Sequence, residues 1–184
     1  MVEESQLKYW RDAGHVARRA LEAMKLELQP GKTFHEIIES AERFIHRHGG
    51  KPAFPGTIAV NDLAAHFTTN HLVEGVDGWD GNSVLEKGDL VKIDFGVHIK
   101  GHIGDNALTL EIGNGNQHTE QIKAAKEARD AAVEMLHPGT PWYKVGQAAA
   151  QPSLDAGFQP IRNLCGHHLN ALELQAGVSV PSYA

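Results

Sequence analysis

Apolar positions recur at spacings of three and four near the start of the chain: Leu7, Trp10, Ala13, Val16, Ala17, Ala20, Leu21 and Met24. That period predicts one amphipathic helix over residues 4–26. Pro30-Gly31 breaks the pattern. Thr33, followed three residues later by Glu36, makes a capping box and opens a second helix over 34–47. Gly49-Gly50 ends that helix, and an extended segment runs from Pro52 to Val60. The period then changes from helical to two. Residues 89–98 and 103–111 alternate as the two arms of a β-hairpin. Helical spacing returns over 117–135, Pro138-Gly139 breaks it again, and a further helix is expected over 141–156 with a disturbance at Pro152. Pro160 starts a last extended segment.

The two helical stretches resemble one another. Residues 28–37 read LQPGKTFHEI and residues 136–145 read LHPGTPWYKV, an offset of 108. At that offset Leu28, Pro30, Gly31, Gly49 and Pro52 meet identical residues, and Phe34 and Ile37 meet Trp142 and Val145. Chance likeness of two helix–turn–helix units is the competing explanation. Taken as a duplication, it predicts an αβ unit over 5–112 and a second, incomplete one over 113–184. The hairpin of the first unit has its expected counterpart beyond residue 184.

That hairpin carries two carboxylates where strands are depleted in them. In VKIDFG, Asp94 alternates with the apolar Val91, Ile93 and Phe95; in GDNALTL, Asp105 shares a face with Ala107 and Thr109. A turn centred on Ile99-Lys100 sets the two aspartates directly opposite one another. A turn centred on Lys100-Gly101 makes them diagonal neighbours on one face. Like charges so close destabilise a sheet. One carboxyl can keep its proton, or a divalent cation can bind between them; a solvated pair on an exposed face is the plain alternative. Histidines in NDLAAHFTTN (His66) and NLCGHHLNALELQAG (His167) are candidate partners, although a lone histidine is more often a core or surface residue.

Composition narrows the setting. A net charge of −6 argues against nucleic acid as the main partner. No apolar run approaches the ~18 residues that span a bilayer, and the charged first 25 residues contain no signal-peptide core. The single cysteine, Cys165, precludes an internal disulfide and suits a reducing cytosol. A cytoplasmic location follows as an expectation, with no membrane and no direct DNA binding. Twelve histidines justify the search for metal ligands.

PAFPGTIAVNDLAAHF, KGDLVKIDFGVHIKGHIGDNALTL and NLCGHHLNALELQAG together resemble the methionine aminopeptidases of the second, archaeal and eukaryotic type. The resemblance covers nearly the whole chain. It implies an α/β (α+β) pita-bread fold, two pseudo-symmetric αβ lobes of which the second is incomplete here. It further implies a dinuclear site for two divalent ions (Co, Mn, Fe or Zn) and an N-terminal Met peptide as substrate. Residue by residue, Asp94 resembles the bidentate metal ligand, Asp105 the bridging ligand and His167 the metal histidine. His66 resembles the catalytic histidine that contacts substrate, and Phe54 a wall of the methionine pocket. Two departures stand out. Gln175 occupies the place of a second histidine that would contact substrate, and Leu172 stands where an aromatic residue is usual. The family's two glutamate ligands have no match within the 184 residues, so this chain alone is expected to hold at most one ion weakly and to be inactive. A non-catalytic relative kept as a binding module, and a proline-directed or creatinase-like hydrolase, are the rival readings; AAHF after AFP speaks against the latter. Ribosome association and oligomeric state stay open.

Overall fold

One helix of the protein opens on the capping box that Thr33 and Glu36 supply and ends just before Gly49-Gly50. The computed structural model describes residues 4–69, 82–113 and 115–183. Its contacts divide into two compact units, Met1–Asn116 and Gln117–Ala184.

In the first unit, helix α1 (Glu4–Glu27) buries Ala13, Val16, Ala17, Ala20, Leu21 and Met24. Helix α2 (Phe34–Arg47) opens on the capping box. The Thr33 hydroxyl accepts the Glu36 N–H at 3.1 Å, and the Glu36 carboxylate accepts the Thr33 N–H at 2.9 Å. The extended segment after it splits into β1 (Lys51–Pro52) and β2 (Thr57–Val60), both antiparallel to β3 (Leu90–Ile99). Strand β4 (His102–Glu111) pairs with the other edge of β3. Val91, Ile93, Phe95 and Val97 point to one face of β3 and are almost wholly buried, as are Ile37 and Ile45 of α2. Each such side chain contributes roughly 1.5–3 kcal/mol on burial. The alternate residues of β3 are therefore committed to the opposite face.

In the second unit, α3 (Thr119–Glu134) packs on α4 (Trp142–Asp155), and β5 (Cys165–His167) pairs antiparallel with β6 (Ser179–Pro181). The extended segment expected from Pro160 enters a strand ladder only at Cys165. Pro152 does not end α4. Its carbonyl still accepts the Ala156 N–H at 3.2 Å, and the helix loses only the N–H that proline lacks. Helix α4 has the bounds of α2 moved by 108 residues. Gly31 and Gly139 both turn at φ +86°, and Gly49 and Gly157 at +79° and +81°. A left-handed residue after a helix or in a tight turn favours glycine, so the repeated glycines mark repeated backbone geometry.

Candidate metal centre

The register of the hairpin decides between the two turns left open by the sequence. Ile99 pairs with His102, so the turn is Lys100-Gly101, with φ of +50° and +85°. Two positive φ values are the signature of the two-residue hairpin turn that matches strand twist. Asp94 then lies opposite Ala107, and Asp105 opposite Gly96. The aspartates are diagonal neighbours on the face of β3 and β4 turned away from α1 and α2.

Asp94 is half-buried. On β2 its partner is the buried Thr57. Its Oδ1 is shut off from water and has no hydrogen-bond partner. Burial pushes its carboxyl up from 3.8 to about 7, assisted by the charge of Asp105 and by a hydrogen bond between the two side chains. This is the behaviour of a carboxyl without a counter-charge. A buried, unpartnered oxygen and a second carboxylate on the same face form a donor pair suited to a hard or borderline divalent cation. Among the described residues, no group of three or more His, Cys, Asp or Glu side chains is poised around a metal position.

Phe54 joins the same face. Residues 53–56 span a stretch where β3 uses only Phe95 and Gly96, so the β1–β2 segment bulges. The Ala53 N–H donates to Gly96 O at 2.9 Å. The Phe54 ring lies over Gly96, where any side chain would overlap it. Gly96 opposes Asp105, which brings an apolar ring beside the carboxylates. The family resemblance assigns Phe54 to a pocket wall, but its seat over Gly96 comes from the bulge, which leaves no clear pattern in sequence.

His66 is exposed and left-handed, at φ +63°. Its neighbours fix it. The Phe67 carbonyl accepts the Ile58 N–H at 2.8 Å, its ring meets Phe34 edge-on at 6.3 Å, and the Thr68 hydroxyl donates to Gly56 O at 2.7 Å. The loop holding His66 is thus hooked to β2, the strand that supplies Thr57 opposite Asp94. His167 lies in the second unit, on β5 opposite Ser179, and is half-buried. Gln175 is exposed in the return from β5 to β6, next to Ala176, whose N–H donates to His168 O at 2.9 Å. Leu172, in that same return, is 84% exposed at φ +60°.

A methionine aminopeptidase from Thermococcus onnurineus is 36% identical over 170 residues, 92% of this chain and 54% of that protein. One from Methanothermus fervidus is 33% identical over 181 residues, 92% of this chain and 90% of that protein. The chain spans about half the length of most of the curated relatives it matches. The crystal structure of methionine aminopeptidase from Thermotoga maritima, 24% identical, superposes with a TM-score of 0.85 over 99% of this chain and 72% of that one. This bears out the α/β pita-bread fold class expected from the motifs. The model of metallopeptidase family M24 matches residues 8–184, and the chain belongs to that family.

Proposed function

We propose that this chain carries part of the active site of a metalloaminopeptidase that removes N-terminal methionine from peptides. Asp94, Asp105 and His167 are the metal ligands in this reading, His66 contacts the substrate's amine or scissile-bond region, and Phe54 walls the pocket for the thioether. The observation that carries it is the diagonal Asp94–Asp105 pair with its buried, unpartnered oxygen. Divalent ions held there would supply Lewis acidity toward a peptide carbonyl. The chain's own groups bind and orient. The two carboxylates would fix the cation position, the Phe54 ring over Gly96 presents an apolar wall beside them, and His66 would offer a hydrogen bond at a loop position set by Phe67 and Thr68. Gln175 can hydrogen-bond an oxyanion but cannot donate as an imidazolium.

Three protein ligands are few for two dications, and general-base assistance, typically worth ~10²–10⁴ in rate, has no candidate among them. The 184-residue polypeptide is therefore expected to bind one divalent ion weakly and to leave a Met-Ala-Ser peptide intact. Fused to the part of the Thermococcus onnurineus relative that follows the matched region, it should release methionine and lose that activity on Asp94→Ala. Release by the 184 residues alone would refute the ligand count. A fusion that binds peptide without hydrolysis would favour a binding module. One that cleaves only before proline would favour the prolidase-like reading, which the resemblance of its fold to a Pyrococcus horikoshii prolidase keeps in view.

A further inference from the structure

The loop that carries His66 is tied down at its start by three side chains that the proposed metal site does not use. Asn61 stands at φ +52°, a conformation asparagine tolerates better than most residues. Its Nδ2 donates to Asp89 Oδ1 at 2.9 Å, and its Oδ1 accepts the Leu90 N–H at 2.9 Å. Its own N–H donates to Leu90 O at 2.9 Å, and its carbonyl accepts Lys92 Nζ at 2.7 Å. The second oxygen of Asp89 accepts the Glu86 N–H at 2.8 Å, and Lys92 Nζ also reaches Leu90 O at 3.2 Å. Asn61 thus uses all four of its hydrogen-bonding groups while lying exposed on the surface. Solubility alone asks nothing so specific of an exposed residue. The far end of the same loop is hooked to β2 through Phe67 and Thr68. Residues 61–68 are pinned at one end to β3, which carries Asp94, and at the other to β2, which pairs with it.

We propose that Asn61, Asp89 and Lys92 form a positioning clamp that fixes the place of the His66 imidazole relative to β3. They touch neither metal nor substrate; they act through His66, and the inference rests on reading His66 as the substrate-facing group. The clamp matters because a displacement of about 1 Å at a reacting group can cost on the order of 10² in rate, and exposed loops hold position only through such bonds.

A donor–acceptor swap tests it on the metal-free protein. Asn61→Asp removes the donor to Asp89 and sets two carboxylates together. Adding Asp89→Asn restores the complement: the new amide donates through its nitrogen to position 61 and accepts the Glu86 N–H through its oxygen. Lys92→Met breaks the third tie without that charge clash. Hydrogen exchange at the Leu90 and Ile58 amides, and the His66 ring resonances assigned by their loss in His66→Gln, are the readouts. Asn61→Asp and Lys92→Met should each speed exchange at those amides by about fivefold or more and shift or broaden the His66 signals, with Ile93 unaffected. The double swap should return both readouts to wild type. Unchanged His66 signals, a uniform rise in exchange that includes Ile93, or a swap that fails to rescue would overturn the clamp. A parallel Mn²⁺ titration of the wild type keeps the two readings apart. Failure to bind Mn²⁺ would count against the metalloenzyme reading, while the exchange and resonance results would still decide the clamp.

Discussion

Replacing Asp94 with asparagine should make the metal-free protein more stable at pH 8, although the residue is proposed as a metal ligand. In the folded chain its carboxyl titrates near 7 instead of 3.8 because it is half-buried and faces Asp105. Between those values the folded state holds a proton that the unfolded state has released, so stability falls as pH rises through this window. Below about pH 4 both states are protonated and no penalty exists; above about 7 the penalty is complete. A rise from 3.8 to about 7 corresponds to a ceiling of ~4 kcal/mol. Solvent screening of a partly exposed group reduces this to about 1–3 kcal/mol. Asparagine has nearly the same shape and no charge to desolvate. Urea unfolding in the presence of a chelator, at pH 4.5 and pH 8, measures the effect. The advantage of Asp94→Asn over wild type should grow by about 1–3 kcal/mol between the two pH values. Millimolar Mn²⁺ or Co²⁺ should then raise the stability of the wild type at pH 8 and leave the variant unmoved, since only a ligand that binds the folded state stabilises it. A pH-independent difference, or a variant less stable than wild type at pH 8, would show that Asp94 is not held as a destabilised carboxyl.

Other outcomes follow from the same geometry. Gly96→Ala should cost about 1–3 kcal/mol in chemical denaturation, because a Cβ there overlaps the Phe54 ring; adding Phe54→Ala should recover part of the loss, and a loss unaffected by Phe54→Ala would separate the ring from Gly96. Gly31→Ala and Gly139→Ala should each destabilise by roughly 1–2 kcal/mol, since both turn at φ +86°; a free alanine at only one of them would break the equivalence of the two helical turns. Thr33→Ala should cost about 1 kcal/mol in urea unfolding through loss of the α2 cap.

The sequence alone determined the helices, the hairpin and the family. Helix ends are written in residues that act locally. Thr33 and Glu36 cap α2 through their own side chains, and Gly31, Gly49, Gly139 and Gly157 supply left-handed turns. The placement of Asp94 and Asp105 on one face was legible too, because alternation along a strand is a local rule. Register was not, since one residue's shift of the turn exchanges directly opposed aspartates for diagonal ones, and either suits the pattern. The Lys100-Gly101 turn, with both residues at positive φ, set the diagonal arrangement. Three further features depend on chain segments distant in sequence and could be seen only once these were folded together. The bulge at residues 53–56 sets Phe54 over Gly96, burial leaves Asp94 Oδ1 without a partner, and Asn61 reaches Asp89 across 28 residues of chain. Local chemistry chose the elements; their contact decided which side chains became neighbours and how strongly burial shifts the proton on Asp94.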